Sequence, residues 1–191
     1  MKARTPDYPI DPMILSRRSS RAMSGEPMTK EELMPLFEAA RWAPSSYNHQ
    51  PWRFIYACKG SPDWERFFSL LFENNQLWAK NAAVLALLVS RNRFEKNDGP
   101  ARLHSFDAGS AFENLALQGT KNGFVVHPME GFDAKKAQSD LQVPEHYSVQ
   151  IMLAIGKPGK VEDLSDSLRE REGFTDRKPI SSLVMEGTFL E

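Results

Sequence analysis

Ala43-Pro44-Ser45-Ser46-Tyr47-Asn48-His49-Gln50-Pro51-Trp52 is a run of small hydroxyls and amides between two prolines. A strand candidate rich in aromatic and branched residues, Trp52 to Ala57, follows at once. Proline cannot continue a helix, and Ser and Asn fold their side chains onto nearby backbone, so the run predicts a loop. It carries many hydrogen-bond donors and acceptors and no fixed charge. It suits a flat, neutral, heteroatom-rich ligand better than a phosphate or a metal. A second stretch upstream, Arg17-Arg18-Ser19-Ser20-Arg21, has the complementary chemistry. Arginine forks match phosphate oxygens and serine hydroxyls add donors, although cations also favour the last turn of a helix for its own sake. A ligand with a phosphate at one end and a flat heteroaromatic at the other needs both stretches, and flavin mononucleotide is such a ligand.

Working outward, Asp11-Pro12 predicts an N-cap and first helical position for a short helix through Met13 to Leu15, after an extended arm over residues 1–11. Thr29-Lys30-Glu31-Glu32 is a capping box, and Leu33, Leu36, Phe37 and Ala40 give the following helix an apolar face. Pro35 lies inside that helix, and Pro44 must end it. Ser61-Pro62 opens a further helix along Trp64, Phe67, Phe68, Leu71, Phe72 and Trp78. Its aromatics read as core or as a pocket wall. The apolar run Ala82 to Val89 predicts a strand buried on both faces. A long helix rich in small residues is expected from Ser105 to Asn122, with Gly123 as its C-cap. Strands at Phe124–His127 and Ser148–Ile155, a helix from Asp133 to Leu141 and a terminal strand at Ile180–Met185 complete the pattern. Residues 157–178 read either as a solvated tail or as a segment that docks on a neighbouring subunit. Taken alone, the alternation of strands and helices suggests a parallel α/β sheet.

Composition removes several function classes. The chain has 191 residues and a net charge of -1, so nothing drives it as a whole toward nucleic acid or an anionic membrane. The single cysteine, Cys58, forms no intramolecular disulfide and suits a reducing, cytoplasmic setting. No apolar run reaches membrane-spanning length. The four histidines and Cys58 are too scattered for a metal motif. Asp107-Ala108-Gly109-Ser110-Ala111 lacks the glycines of a nucleophile elbow, and Gly156-Lys157-Pro158-Gly159-Lys160 lacks Walker spacing. No GxGxxG follows a strand. Residues 1–191 are expected to form one domain.

The pair Arg17-Arg18-Ser19-Ser20-Arg21 and Ala39-Ala40-Arg41-Trp42-Ala43-Pro44-Ser45-Ser46-Tyr47-Asn48-His49-Gln50-Pro51-Trp52-Arg53-Phe54, in that order, resembles the nitroreductase family of FMN-dependent oxidoreductases. Asn75-Gln76-Leu77-Trp78, Gly123-Phe124, Pro128-Met129-Glu130-Gly131-Phe132 and Arg177-Lys178-Pro179 extend the resemblance over most of the chain. It implies an α+β fold with a mostly antiparallel sheet surrounded by helices, and a homodimer that exchanges its C-terminal arm and holds two FMN sites at the interface. It implies that Arg17 and Ser19, helped by Arg18 and by Arg177 of the tail, hold the phosphate. Arg21 would face the pyrimidine edge, and Asn75 would bond the ring or ribityl chain. The backbone of Met129, Glu130 and Gly131 would pass the reactive nitrogen. Pro44, Ser45, Ser46 and Asn48 would reach a flavin held by the other subunit. NADH or NADPH would deliver a hydride, and a nitroaromatic, quinone or enal would receive it. Thr175 stands where relatives often carry a second basic residue before the tail arginine. Trp64, Phe67, Phe68 and Trp78 are candidates for the acceptor wall. No side chain is assigned as a catalytic acid or base, because the cofactor carries the hard step. Other flavin reactions on the same fold, dehalogenation or flavin breakdown, and a non-catalytic flavin carrier or sensor are the alternatives.

Overall fold

The computed structural model describes residues 4–173 and 175–189. The first three residues of the expected N-terminal arm lie outside them. Four strands, β1 (Trp52–Cys58), β2 (Val84–Arg91), β3 (Val125–Met129) and β4 (Tyr147–Gly156), form one sheet in the order β1-β2-β4-β3. Every pairing is antiparallel. The fold is therefore α+β, as the resemblance implies, and not the parallel sheet that local alternation suggests. A parallel neighbour needs a crossover that carries the chain back to its starting end. The two short helices after β1 instead deliver β2 at the end where β1 stops, with Cys58 opposite Val84.

The helices are α1 (Pro12–Ser16), α2 (Lys30–Arg41), α3 (Trp64–Phe68), α4 (Glu73–Ala79), α5 (His104–Lys121), α6 (Ala134–Asp140) and α7 (Asp166–Arg169). The central strand β2 divides the core, because successive side chains point to opposite faces. Val84, Ala86 and Leu88 meet Leu33, Leu36 and Ala40 of α2 and Ala108, Ala111 and Leu115 of α5. Leu85, Leu87 and Val89 meet Trp64, Phe67 and Trp78 on the other face. Gly119 brings α5 onto the sheet: a Cβ there would stand 2.7 Å from Val126 Cγ2.

Local chemistry sets the helix starts. Asp11 caps α1 through its side chain, and Pro12 is its first residue. Thr29 and Glu32 form the complete capping box of α2, which runs continuously past the exposed Pro35. Long-range contacts set two of the departures from sequence. The helix expected to run from residue 61 through Trp78 is broken between α3 and α4. Leu70 O accepts from Asp133 N at 2.8 Å, Phe72 N donates to Gly131 O at 3.0 Å, and Leu71 bridges Phe132. Backbone groups used in this way cannot also close helical turns. β3 runs two residues further than expected, through Pro128 to Met129; as an edge strand it tolerates a proline. The strand expected at Ile180–Met185 is instead a single 3-10 turn, Ile180–Ser182, with Ser182 bonded back to Pro179 O. Residues 157–178 are not simply a solvated tail: Leu164, Leu168 and Glu172 are buried against their own chain. No helix among the described residues is long and apolar enough to cross a membrane.

Candidate functional site

The segment after α1 lies along the edge strand β3. Arg4 Nη1 ties the end of α1 to the N-terminal arm by bonding Leu15 O at 2.7 Å and Arg17 O at 2.6 Å. Further on, Gly159 N donates to Ala22 O and Ser24 N to Lys157 O, which aligns the segment beside the chain leaving β4. Between these anchors the Ser20 carbonyl accepts from His127 Nδ1 of β3 at 3.0 Å. His127 is buried, with its ring 4.4 Å from that of Trp78. Burial pushes its pKa down to about 4 against the pull of the Ser20 carbonyl, so it is neutral near pH 7.

The basic residues of this segment divide between two environments. Arg17 turns outward, 3.5 Å from Glu113 of α5. It lines a cavity of about 540 Å³ with Arg4, Tyr8, Ile14, Arg177 and Leu183. Arg4 is lowered from the ordinary arginine range, first by burial and then by the like charges of Arg177, Arg17 and Arg18. Cations gathered against mutual repulsion are a fit for an anion such as a phosphate. Thr175 lines the same cavity and sits 3.5 Å from Arg177 Nη1. Arg18 and Arg21 turn the other way, to Glu172: Arg18 Nη2 is 3.1 Å from its Oε1, and the Arg21 amide is 3.0 Å from its Oε2. Ser19 is exposed between them.

Beyond the end of β3, Asn75 Nδ2 donates to Gly131 O at 3.0 Å. The contact is close because residue 131 has no side chain: a Cβ there would meet Asn75 Nδ2 at 2.7 Å. Met129 is buried, Glu130 exposed and Gly131 half-buried. Phe72, beside it, is 56% exposed. The four aromatics expected as an acceptor wall pack in the core, Trp64, Phe67 and Trp78 buried with Phe68 against them, whereas Phe72 is the ring that borders Gly131.

The Pro44–Gln50 loop lies before β1, the opposite edge of the sheet from β3. Tyr47, Asn48 and Gln50 all hold positive φ. Such backbone is costly for side-chain-bearing residues and persists only where neighbours hold it. Ser45 Oγ accepts from Gln50 N at 3.0 Å, and the buried Asp107 of α5 accepts from Ser46 N at 3.1 Å. Pro44, Tyr47 and Asn48 are left exposed. Within one chain, then, Arg17, Arg18, Ser19, Arg21 and Arg177 fall into one neighbourhood, and Asn75 with Met129, Glu130 and Gly131 adjoins it through Trp78 and His127. Pro44, Ser45, Ser46 and Asn48 form a separate surface. Sequence reasoning missed Arg4 and Glu172. Each is a lone charge in weakly patterned chain, and its role depends on partners far away in sequence.

An antiparallel sheet between two helical layers, with an arginine-lined cavity between the N-terminal arm, α1, α5 and the tail and a neutral polar loop at the β1 edge, defines a class of α+β ligand-binding protein. The family profile described as the nitroreductase family matches residues 14–74 and 59–157, and the chain belongs to that family. A crystal structure described as an oxidoreductase containing FMN is 43% identical, with a TM-score of 0.94, over 98% of this chain and 96% of its own. Protein DrgA of Synechocystis is 27% identical over 82% of this chain and 85% of its own length. A Streptomyces griseus protein named as a candidate NADH dehydrogenase/NAD(P)H nitroreductase is 24% identical over 78% of this chain and 85% of its own.

Proposed function

We propose that the protein is an FMN-dependent NAD(P)H oxidoreductase, with residues 1–191 acting as one FMN-binding domain of a cytoplasmic homodimer. One observation carries this reading. The edge strand β3 has the arginine-bearing segment bonded to its His127, and the Asn75-bound turn at Gly131 lies just past its end. Arg17 and Arg177, with Arg4 beside them, would hold the phosphate in the arginine-lined cavity, and Ser19 and Arg18 would support it from the flanking segment. Arg21 would face the pyrimidine edge. The Asn75 amide, steadied by the Gly131 carbonyl, bonds the ring or ribityl chain. The backbone of Met129, Glu130 and Gly131 would pass the ring near its reactive nitrogen. Bound FMN supplies two-electron transfer from NAD(P)H to a nitroaromatic, quinone or enal acceptor, which replaces the spent donor in ping-pong order.

The separation of the two surfaces supports the homodimer. Pro44, Ser45, Ser46 and Asn48 lie at the β1 edge of their own chain and reach the flavin of the other subunit. The tail supports this reading through Leu183 (61% exposed), Val184 (66%) and Phe189 (80%), apolar side chains that an exchanged arm would cover.

Purified protein should be yellow and bleach on anaerobic mixing with NADPH or NADH. Colour should then return on adding a nitroarene or a quinone. A colourless protein that takes up no added FMN refutes the cofactor assignment, and failure of either donor to bleach a yellow protein refutes the reductase. A monomer at micromolar concentration in sedimentation refutes the shared site.

A further inference from the structure

Glu172 is a buried acid to which the reading above gives no task. It follows α7, and its carboxylate sits in a socket made by the arginine segment. Arg18 Nη2 reaches Oε1 at 3.1 Å, Ser20 Oγ donates to the same oxygen, and the Arg21 amide donates to Oε2 at 3.0 Å. The Arg21 guanidinium stands 3.9 Å from Oε2 and donates to the neighbouring Arg171 carbonyl at 3.1 Å. Arg18 Nη2 also bonds the Glu172 carbonyl at 2.5 Å. His127 lies against Ser20 O and is neutral near pH 7, so it adds no charge. The socket therefore holds two guanidinium groups and one carboxylate, with the like charge of Arg171 acting on Arg21 beside it.

A buried carboxylate is costly unless it is paired and hydrogen-bonded, and the tail has a cheaper anchor in the packing of Leu164 and Leu168. What the apolar anchor cannot do is hold the backbone and the side chain of Arg21 from the same point, or set the charge there. We propose that Glu172 is a positioning residue of the flavin site, fixing the Arg21 guanidinium and offsetting part of the positive charge that Arg18 and Arg21 present to bound FMN. This inference rests on the FMN reading above. In the reaction NAD(P)H loses two electrons and one proton as a hydride and FMN gains them, so the ring gains negative charge unless it takes a second proton from water. A fixed carboxylate behind the arginines opposes that gain and lowers the midpoint potential of the bound cofactor.

Glu172→Gln keeps the shape and an acceptor oxygen but removes the charge. Ser20→Ala keeps the charge and removes one donor. For both variants and the wild type, the midpoint potential is measured by anaerobic titration against a reference dye. FMN dissociation constants and thermal unfolding of the apoprotein are measured alongside. The potential of Glu172→Gln is expected to move positive, whereas Ser20→Ala keeps the wild-type potential and unfolds at a lower temperature. An unchanged or more negative potential in Glu172→Gln overturns the inference, and so does an equal shift in Ser20→Ala, which would make packing the cause. If Glu172→Gln does not fold, Glu172→Asp serves instead. It keeps the charge on a shorter arm and is expected to bind FMN several-fold more weakly at an unchanged potential; a shifted potential there overturns the inference. A wild-type protein that takes up no FMN removes the functional reading itself and this inference with it.

Discussion

Replacing His127 by asparagine is expected to remove much of the acid sensitivity of the fold. His127 is buried beside Trp78, and its Nδ1–H donates to the Ser20 carbonyl, which can only accept. Its pKa falls from 6.5 to about 4 on folding, with burial as the largest cause. The folded state thus binds the proton less readily than the unfolded chain. The stability contribution is complete above pH 6.5 and is lost as the pH falls toward 4. Linkage between these two values puts the loss from pH 7 to pH 5 at about 2 kcal/mol. An asparagine amide reaches the Ser20 carbonyl from nearly the position of Nδ1 and does not titrate. Urea unfolding of both proteins at pH 7, 6 and 5 gives the test. The wild type should lose about 2 kcal/mol more than His127→Asn over that range. His104 is also lowered, mainly by burial, but it is present in both proteins and cancels from the difference. Parallel pH curves for the two proteins, or an imidazole titration midpoint near 6.5 in the folded state, would refute the argument.

Three further outcomes are expected. Arg17→Ala should weaken FMN binding by roughly 1.5–3 kcal/mol, about one to two decades in Kd, if Arg17 makes one charge-assisted bond to the phosphate; fluorescence titration of the apoprotein reads it, and unchanged affinity counts against the role. Gly131→Ala should push the Asn75 amide off the Gly131 carbonyl, because the new Cβ meets Asn75 Nδ2 at 2.7 Å. The lost bond costs roughly 0.5–1.5 kcal/mol in urea unfolding and weakens FMN binding as well. Thr29→Ala removes the bond to Glu32 N and half of the capping box of α2, so unfolding should show a loss of about 1 kcal/mol; no loss would mean that packing of Leu33 and Leu36 alone holds the helix start.

Much of the architecture is written in short-range chemistry. The capping box at Thr29, the proline that stops α2, the apolar run of β2 and the small residues of α5 each act within a few positions of themselves, so their effect is legible without a partner. The residues of the candidate site are legible for a related reason: serines, asparagines and arginines without an apolar pattern are not there to pack. The break between α3 and α4 is not legible, because Leu70 to Phe72 are drawn out of helix by residues 131–133, which only the folded chain brings near. The direction of the sheet is hidden for the same reason, since helices between strands are compatible with either sense until the packing of both faces is known.

The sequence by itself determined which groups are available for a phosphate and a flat ring: Arg17, Arg18, Ser19 and Arg21 in one stretch, Pro44 to Asn48 in another, and Asn75 and Gly131 further on. Tertiary structure decided how those groups are shared out. It puts the Pro44 loop at one edge of the sheet and the arginines at the other, turns Arg17 toward the cavity with Arg177, and gives Arg18, Ser20 and the Arg21 amide to Glu172. The physical reason is range. Propensity and capping act over a few residues, whereas the pairing of a buried carboxylate with donors some 150 positions earlier exists only once both have been removed from water together.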